Sequence, residues 1–252
     1  MNVKYFFLLI VLLGLYSCKN REALSFEKYN LTTDMLPDCR NEDCALLEIN
    51  LLKIVEDHQI AYRINKEIDS VVCDILNTSE NKSAATIREA VNRFNSSYQA
   101  ILNEYPEETV PYEATIDCKL LFQCEDFISV SIDSYVYTGG AHGYGGITFI
   151  NMDTKTGKRF SKKALFKDDS GFKNYAEKVF RSQNKIPQNQ SINSTGFFFE
   201  DDMFSLPENI GFTDTNVILY YNPYEISSYA DGPIELKLNK EEVALFFAVE
   251  IF

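Results

Sequence analysis

The chain contains no tryptophan and only two histidines, His58 and His142. Without tryptophan it lacks one of the aromatic side chains that combine a large apolar body with a polar handle, which disfavours a dedicated glycan-binding platform. Two histidines with no ligand-like spacing to a cysteine, and no Cys-x-x-Cys, argue against a zinc site. No Gly-x-Ser-x-Gly elbow occurs, so the common hydrolase nucleophile turn is missing. Basic residues are in deficit, 24 Lys and Arg against 37 Asp and Glu, for a net charge of −13. That balance argues against nucleic acid or anionic lipid as a partner and leaves room for a cationic one. There is no repeat or low-complexity tract. No apolar run reaches the roughly 20 residues needed to cross a bilayer.

The N-terminus nevertheless carries a signal. Met1 to Lys4 form a short positive segment, and Tyr5 to Leu15 a short apolar run. That is the pattern of a signal peptide. It ends in Leu15-Tyr16-Ser17-Cys18, a small residue before cysteine, which resembles a bacterial lipobox. The expectation is cleavage of residues 1–17 and lipid attachment at Cys18. A tether, 18–23, would reach roughly 20 Å and hold the folded part near the membrane. Lysine rather than aspartate at position 19 leans towards the outer membrane over the inner one.

An exported chain can hold disulfides. Cys39 and Cys44 flank a turn-like segment, and Cys118 and Cys124 flank the end of a strand, so each pair is a candidate bridge. Cys73 lies in a helical pattern and is the expected free thiol.

Residues 23–32 and 44–55 read as strands joined by a polar turn. Ile60, Ile64, Ile68, Val71 and Ile75 then recur at helical spacing, as do Ile87, Val91, Phe94, Tyr98, Ile101 and Tyr105, ended by Pro106. Strands dominate afterwards: 112–123, 126–140, a strand-turn-strand over 146–160, short strands within 191–212, then one from 216 that ends at Pro223, and 232–239. A third helix is expected over 171–183 and a short last one over 240–247. Grouped strands and helices predict an α+β fold: an N-terminal β-hairpin and two helices, then a mostly antiparallel half with one inserted helix. The expected division is 24–107 and 108–252, the two packed as one unit.

Two segments concentrate unusual residues. "YTGGAHGYGG", 137–146, holds five of the eleven glycines and His142. No Lys-Ser/Thr and no helix follows, so it is not a phosphate loop. The glycines read as a backbone device between strands. Tyr137, Thr138, Gly139, Gly140, His142 and Tyr144 form a candidate recognition loop. "YYNPYEISSYADGP", 220–233, offers Tyr221, Tyr224 and Tyr229 as a candidate aromatic surface, although core packing accounts equally for most of its tyrosines. His58, after Glu56-Asp57 at a strand-to-helix junction, reads as a solvated or capping residue. No catalytic residue, metal or cofactor is assigned.

The stretch from Tyr137 to Phe166 and the stretch "LYYNPYEISSYADGPIELKLNKEEV" resemble the RsiV-like family of exported bacterial domains. Residues 24 to 105 resemble the PdaC-like domain that often precedes it. The resemblance implies a role at the cell wall. One member is an anti-sigma factor whose exported region binds lysozyme, and another carries these domains beside a peptidoglycan deacetylase domain. The sigma-binding segment, the spanning helix and the deacetylase domain are absent here. The expectation is therefore a non-enzymatic, lipid-anchored envelope protein that binds or inhibits a lysozyme-like hydrolase. The alternatives are a peptidoglycan-binding module and, behind it, a wall hydrolase or esterase.

Overall fold

A computed structural model describes residues 23–36, 39, 43–56, 58–79, 82–107 and 110–252. The signal segment 1–17 and Cys18 lie outside the described residues, as does nearly all of the tether.

The first layer is a five-stranded sheet in the order β1-β2-β3-β4-β5. Its strands are β1 (Phe26–Thr32), β2 (Leu46–Ile54), β3 (Glu113–Gln123), β4 (Phe127–Tyr137) and β5 (Tyr144–Asp153). Neighbours are antiparallel except β2 and β3, which run parallel. A parallel pair needs a crossover, and the two helices α1 (Gln59–Ile75) and α2 (Ile87–Glu104) supply it. His58 caps α1, its Nδ1 accepting from Ala61 N at 3.0 Å. Thr86 caps α2 by accepting from Glu89 N, while the Glu89 carboxylate accepts from Ala85 N. The apolar stripes of both helices cover one sheet face, with Ile64, Ile68 and Phe94 fully buried against Ile49, Ile116 and Val130. The expected 107/108 division falls between α2 and β3, within the span of this sheet.

The chain then runs through a short helix α3 (Lys162–Leu165) and α4 (Asp169–Gln183) into a second antiparallel sheet. That sheet has β6 (Asn209–Phe212), β7 (Asn216–Tyr221) and β8 (Ile234–Asn239), followed by α5 (Lys240–Val243). The mixed α+β class is as expected, but the strand content is lower. Of 191–212 only β6 is a strand; Phe197 and Phe199 instead plug onto Phe180 of α4. After β5 the return strand shrinks to one bridge between Met152 and Arg159.

The two layers share a second, phenylalanine-rich core. Phe122 and Phe127 belong to strands of the first sheet yet pack with Phe212 and Phe247 of the second unit. A register shift between Leu120 and Phe122 makes this possible. Up to the shift, even-numbered residues Ala114, Ile116 and Cys118 face the helices; beyond it, Phe122 faces the other core.

The same shift overturns one expected disulfide. Cys39 and Cys44 are bonded, but Cys118 and Cys124 are free. In an unbroken strand, residues six apart share a face. Here Cys118 is 3% exposed beneath the helices, whereas Cys124 Sγ donates to Glu250 O in the second unit. Cys73 is free as well, buried in α1.

Lys240 is buried in the second unit. Its Nζ sits 3.2 Å from the Phe122 ring centroid and donates to Thr213 O at 2.9 Å. Burial lowers its pKa.

Candidate functional site

The glycine-rich segment is the turn between β4 and β5. Gly139 and Gly140 have φ of +95° and +88°, a conformation that side chains resist. Tyr137 closes the turn on itself, its hydroxyl donating to Gly140 O at 3.1 Å. Thr138 is exposed beside it.

This turn is docked onto the segment after β7. The link is Asn222, whose side-chain Oδ1 accepts from Ile147 N at 2.8 Å while its Nδ2 donates to Ile147 O at 3.0 Å. One amide thus satisfies both outward groups of a β5 residue, as a neighbouring strand would. Gly146 makes the approach possible: a Cβ there would lie 2.8 Å from Asn222 Oδ1. Asn209 Oδ1 accepts from Phe149 N in the same manner. Replacing Asn222 by alanine strands the two Ile147 groups. The expected result is a loss of about 1–3 kcal/mol, with faster amide exchange at Ile147 than at Phe149, measurable by native-state hydrogen exchange.

Ring contacts complete the docking. His142 stacks on Tyr229 with centroids 4.2 Å apart, and Tyr229 stacks on Tyr224 at 5.5 Å. His142 Nδ1 donates to Gly143 O at 2.9 Å, and the Tyr229 hydroxyl donates to the same oxygen at 3.1 Å. Tyr144 reaches Pro223 O through its hydroxyl. The result is a three-ring ladder with an exposed rim, in which Tyr144 and Tyr224 are 48% and 55% exposed. Tyr224 has φ +71°, a rare conformation for a bulky residue.

Two segments about eighty residues apart therefore form one feature. Tyr137, Gly139, Gly140, His142, Tyr144, Tyr224 and Tyr229 come together. Tyr221 does not, which corrects its placement on the aromatic surface. It is 1% exposed, its ring edges onto Phe180 and Phe199, and its hydroxyl donates to Ser205 O at 2.7 Å. Strand alternation explains this: Val217, Leu219 and Tyr221 share the face of β7 that looks into the second core. Sequence reasoning missed Asn222, and did not join Asp133, Tyr135 and Tyr220 into one cleft. An asparagine ending a strand before proline was the one available signal for the first.

Beside the ladder lies a cleft of about 420 Å³ lined by Asp133, Tyr135, Tyr220 and Tyr229, with Gly145 and Gly146 among its other residues. Burial raises the pKa of Tyr220, and the nearby Asp133 and Glu235 carboxylates raise it further. Glu225, behind the loop, is raised by burial and accepts from Asn222 N. Among the described residues no group of three or more His, Cys, Asp or Glu is placed to hold a metal ion.

Residues 39–144 match the family model described as Deacetylase PdaC, and residues 163–241 match the protein of unknown function family DUF3298. The chain thus joins a PdaC-type segment to a DUF3298-type segment, as the sequence resemblance implied. The same fold occurs in a DUF3298 family protein from Pseudomonas aeruginosa PAO1, with 21% identity, TM-score 0.63, and coverage of 91% of this chain and 96% of that one. A DUF3298 family member from Bacteroides fragilis NCTC 9343 has 20% identity and TM-score 0.65, covering 92% of this chain and 96% of that one. No curated protein matches this chain.

Proposed function

We propose that this chain is a non-enzymatic, lipid-anchored binding protein of the cell envelope, that the docked loop pair is its recognition element, and that its partner is a cationic, lysozyme-like wall hydrolase. The observation that carries the reading is Tyr224: exposed, in left-handed backbone, and stacked on a ring that is itself hydrogen-bonded to the opposite loop. Strained backbone outside glycine persists where the surroundings over-determine it, and it clusters at ligand clamps and active sites. A ring held in place before encounter loses little freedom on binding. Exposed tyrosines on a rigid support are also the residue type enriched among binding hot spots.

Charge supports the partner's class. A net charge of −13 favours encounter with a cationic protein and steers it at long range. His142 serves this role as a support, its ring stacked and its Nδ1 spent on Gly143 O. The lipid expected at Cys18 would keep the loop pair near the wall.

The chain without residues 1–18 is expected to bind a cationic lysozyme at low salt and release it as salt rises. Tyr224→Ala is expected to weaken that binding about tenfold or more while leaving the melting temperature unchanged. Retention on insoluble peptidoglycan at moderate salt, with no lysozyme binding, would favour the carbohydrate-binding alternative. Turnover of a wall ester or glycan that is lost in His142→Ala would make the protein an enzyme and overturn the proposal.

A further inference from the structure

We infer that the cleft beside the loop pair is a seat for one cationic side chain, an arginine or lysine, presented by a protein partner. The inference rests on the reading of the chain as a binder of cationic proteins and assigns a second contact point, distinct from the Tyr224 rim.

The cleft's chemistry selects the ligand. Its aromatic rings are Tyr135, Tyr220 and Tyr229, contributed by β4, β7 and the segment after β7. Ring faces carry negative charge density and attract a cation placed over them, arginine more often than lysine; Tyr135 and Tyr220 offer those faces, while Tyr229, stacked on both His142 and Tyr224, forms a wall of the cleft. The single charged residue among those lining the cleft is Asp133. Asp133 is exposed, and no hydrogen bond or ion pair engages it among the described residues. Lys119, which feels Asp133 from the neighbouring strand, is bound to Asp117 at 2.6 Å. A guanidinium between the rings would meet this carboxylate in the paired geometry that arginine favours.

Shape agrees with charge. Gly145 and Gly146 put no side chain into the space, so the backbone of β5 is approachable there. The rings are held by the fold: Tyr229 by His142 and by Gly143 O, and Tyr220 by an edge contact with Phe149. About 420 Å³ is near the lower end of ligand-pocket volumes, enough for one long side chain and too little for an extended saccharide. The carboxylates of Asp133 and Glu235, which both act on the Tyr220 hydroxyl, would repel an anion.

The test uses the soluble mature chain with three probes: a blocked arginine peptide, its citrulline counterpart and an N-acetylglucosamine trimer. Tyrosine ring signals are followed by NMR. The arginine peptide is expected to shift the rings of Tyr135, Tyr220 and Tyr229 with a dissociation constant on the order of millimolar. Citrulline, which keeps the shape and loses the charge, is expected to bind about tenfold more weakly, and Asp133→Asn to weaken the arginine peptide by about the same factor. Asp133 is exposed on a strand surface, so the substitution leaves the fold intact, checked by an unchanged melting temperature. Equal binding of citrulline, an unchanged affinity in Asp133→Asn, or ring shifts with the trimer alone would each overturn the inference.

Failure here is separable from failure of the loop-pair reading. Lysozyme binding that survives Asp133→Asn, with the arginine peptide silent, removes the cleft alone. An arginine peptide that seats normally, with lysozyme binding indifferent to Tyr224→Ala, removes the loop pair alone.

Discussion

Phe127→Ala is expected to cost about 3–5 kcal/mol. Phe127 is fully buried and touches three other rings: Phe212 edge-on at 4.9 Å, Phe160 at 5.7 Å and Phe122 at 6.2 Å. It opens β4, so its backbone belongs to the first sheet while its side chain belongs to the second core. Truncation removes the ring's transfer energy and leaves a cavity that the surrounding rings only partly fill. It also loosens the joint between the layers. Urea unfolding should show a lowered midpoint, and a lowered slope as well if the two units begin to melt separately. Phe127→Leu, closer in volume, is expected to cost less than half as much.

Stability is expected to fall as pH rises above 9, and Cys118 is the main cause. Burial pushes its thiol from 9.0 up to about 12, and burial with Asp69 and Asp74 pushes Cys73 up to about 11. An unfolded chain releases these protons near pH 9, whereas the folded chain holds them. Their contribution is therefore complete below pH 9 and is lost as pH climbs towards the folded values, at about 1.4 kcal/mol per pH unit for each thiol. Tyr98, Tyr144 and Tyr220, all raised by burial, act in the same direction above 10. Lys240 acts the other way: its depressed pKa makes its burial costly at neutral pH, and that cost fades as pH rises towards 10.5. By about pH 10.5 the Cys118 share alone is about 2 kcal/mol. Cys118→Val removes the titrating group from the same pocket and should flatten the alkaline limb of urea midpoint against pH. Parallel limbs for the two proteins would exclude Cys118 as the source.

Local patterns in the chain were readable where one segment's own chemistry decides its form. The stripes ending at Ile75 and Tyr105 became the buried faces of α1 and α2, His58 became a cap, and Cys39 found Cys44 five residues away. What stayed hidden depended on partners distant in sequence. Periodicity says that β2 and β3 are strands, but not that they lie side by side across a two-helix crossover. Cys118 and Cys124 looked like a pair because nothing local marks the extra residue near Leu121 that reverses the strand's faces. Tyr221 and Tyr224, three apart in one motif, separated into core and rim because the strand ends between them. The candidate site was half legible. The glycine turn and the tyrosine motif each stood out, but the Asn222 amide that joins them acts only across 75 residues.

That amide has a consequence for how copies of the chain meet one another. β5 is an outer strand of its sheet, and a bare outer strand is a template on which a second molecule can add a strand of its own. Asn222 occupies both outward groups of Ile147, and Asn209 the outward N–H of Phe149, so this template is blocked along its middle without spending a ninth strand on it. The other border of the sheet, β1, carries Glu27 and Lys28 along its length. Such charges discourage edge-to-edge growth. Crowding of many copies on one surface therefore leaves the five-stranded sheet guarded along both borders, and the loops at the far end of β5 stay available for a different kind of neighbour.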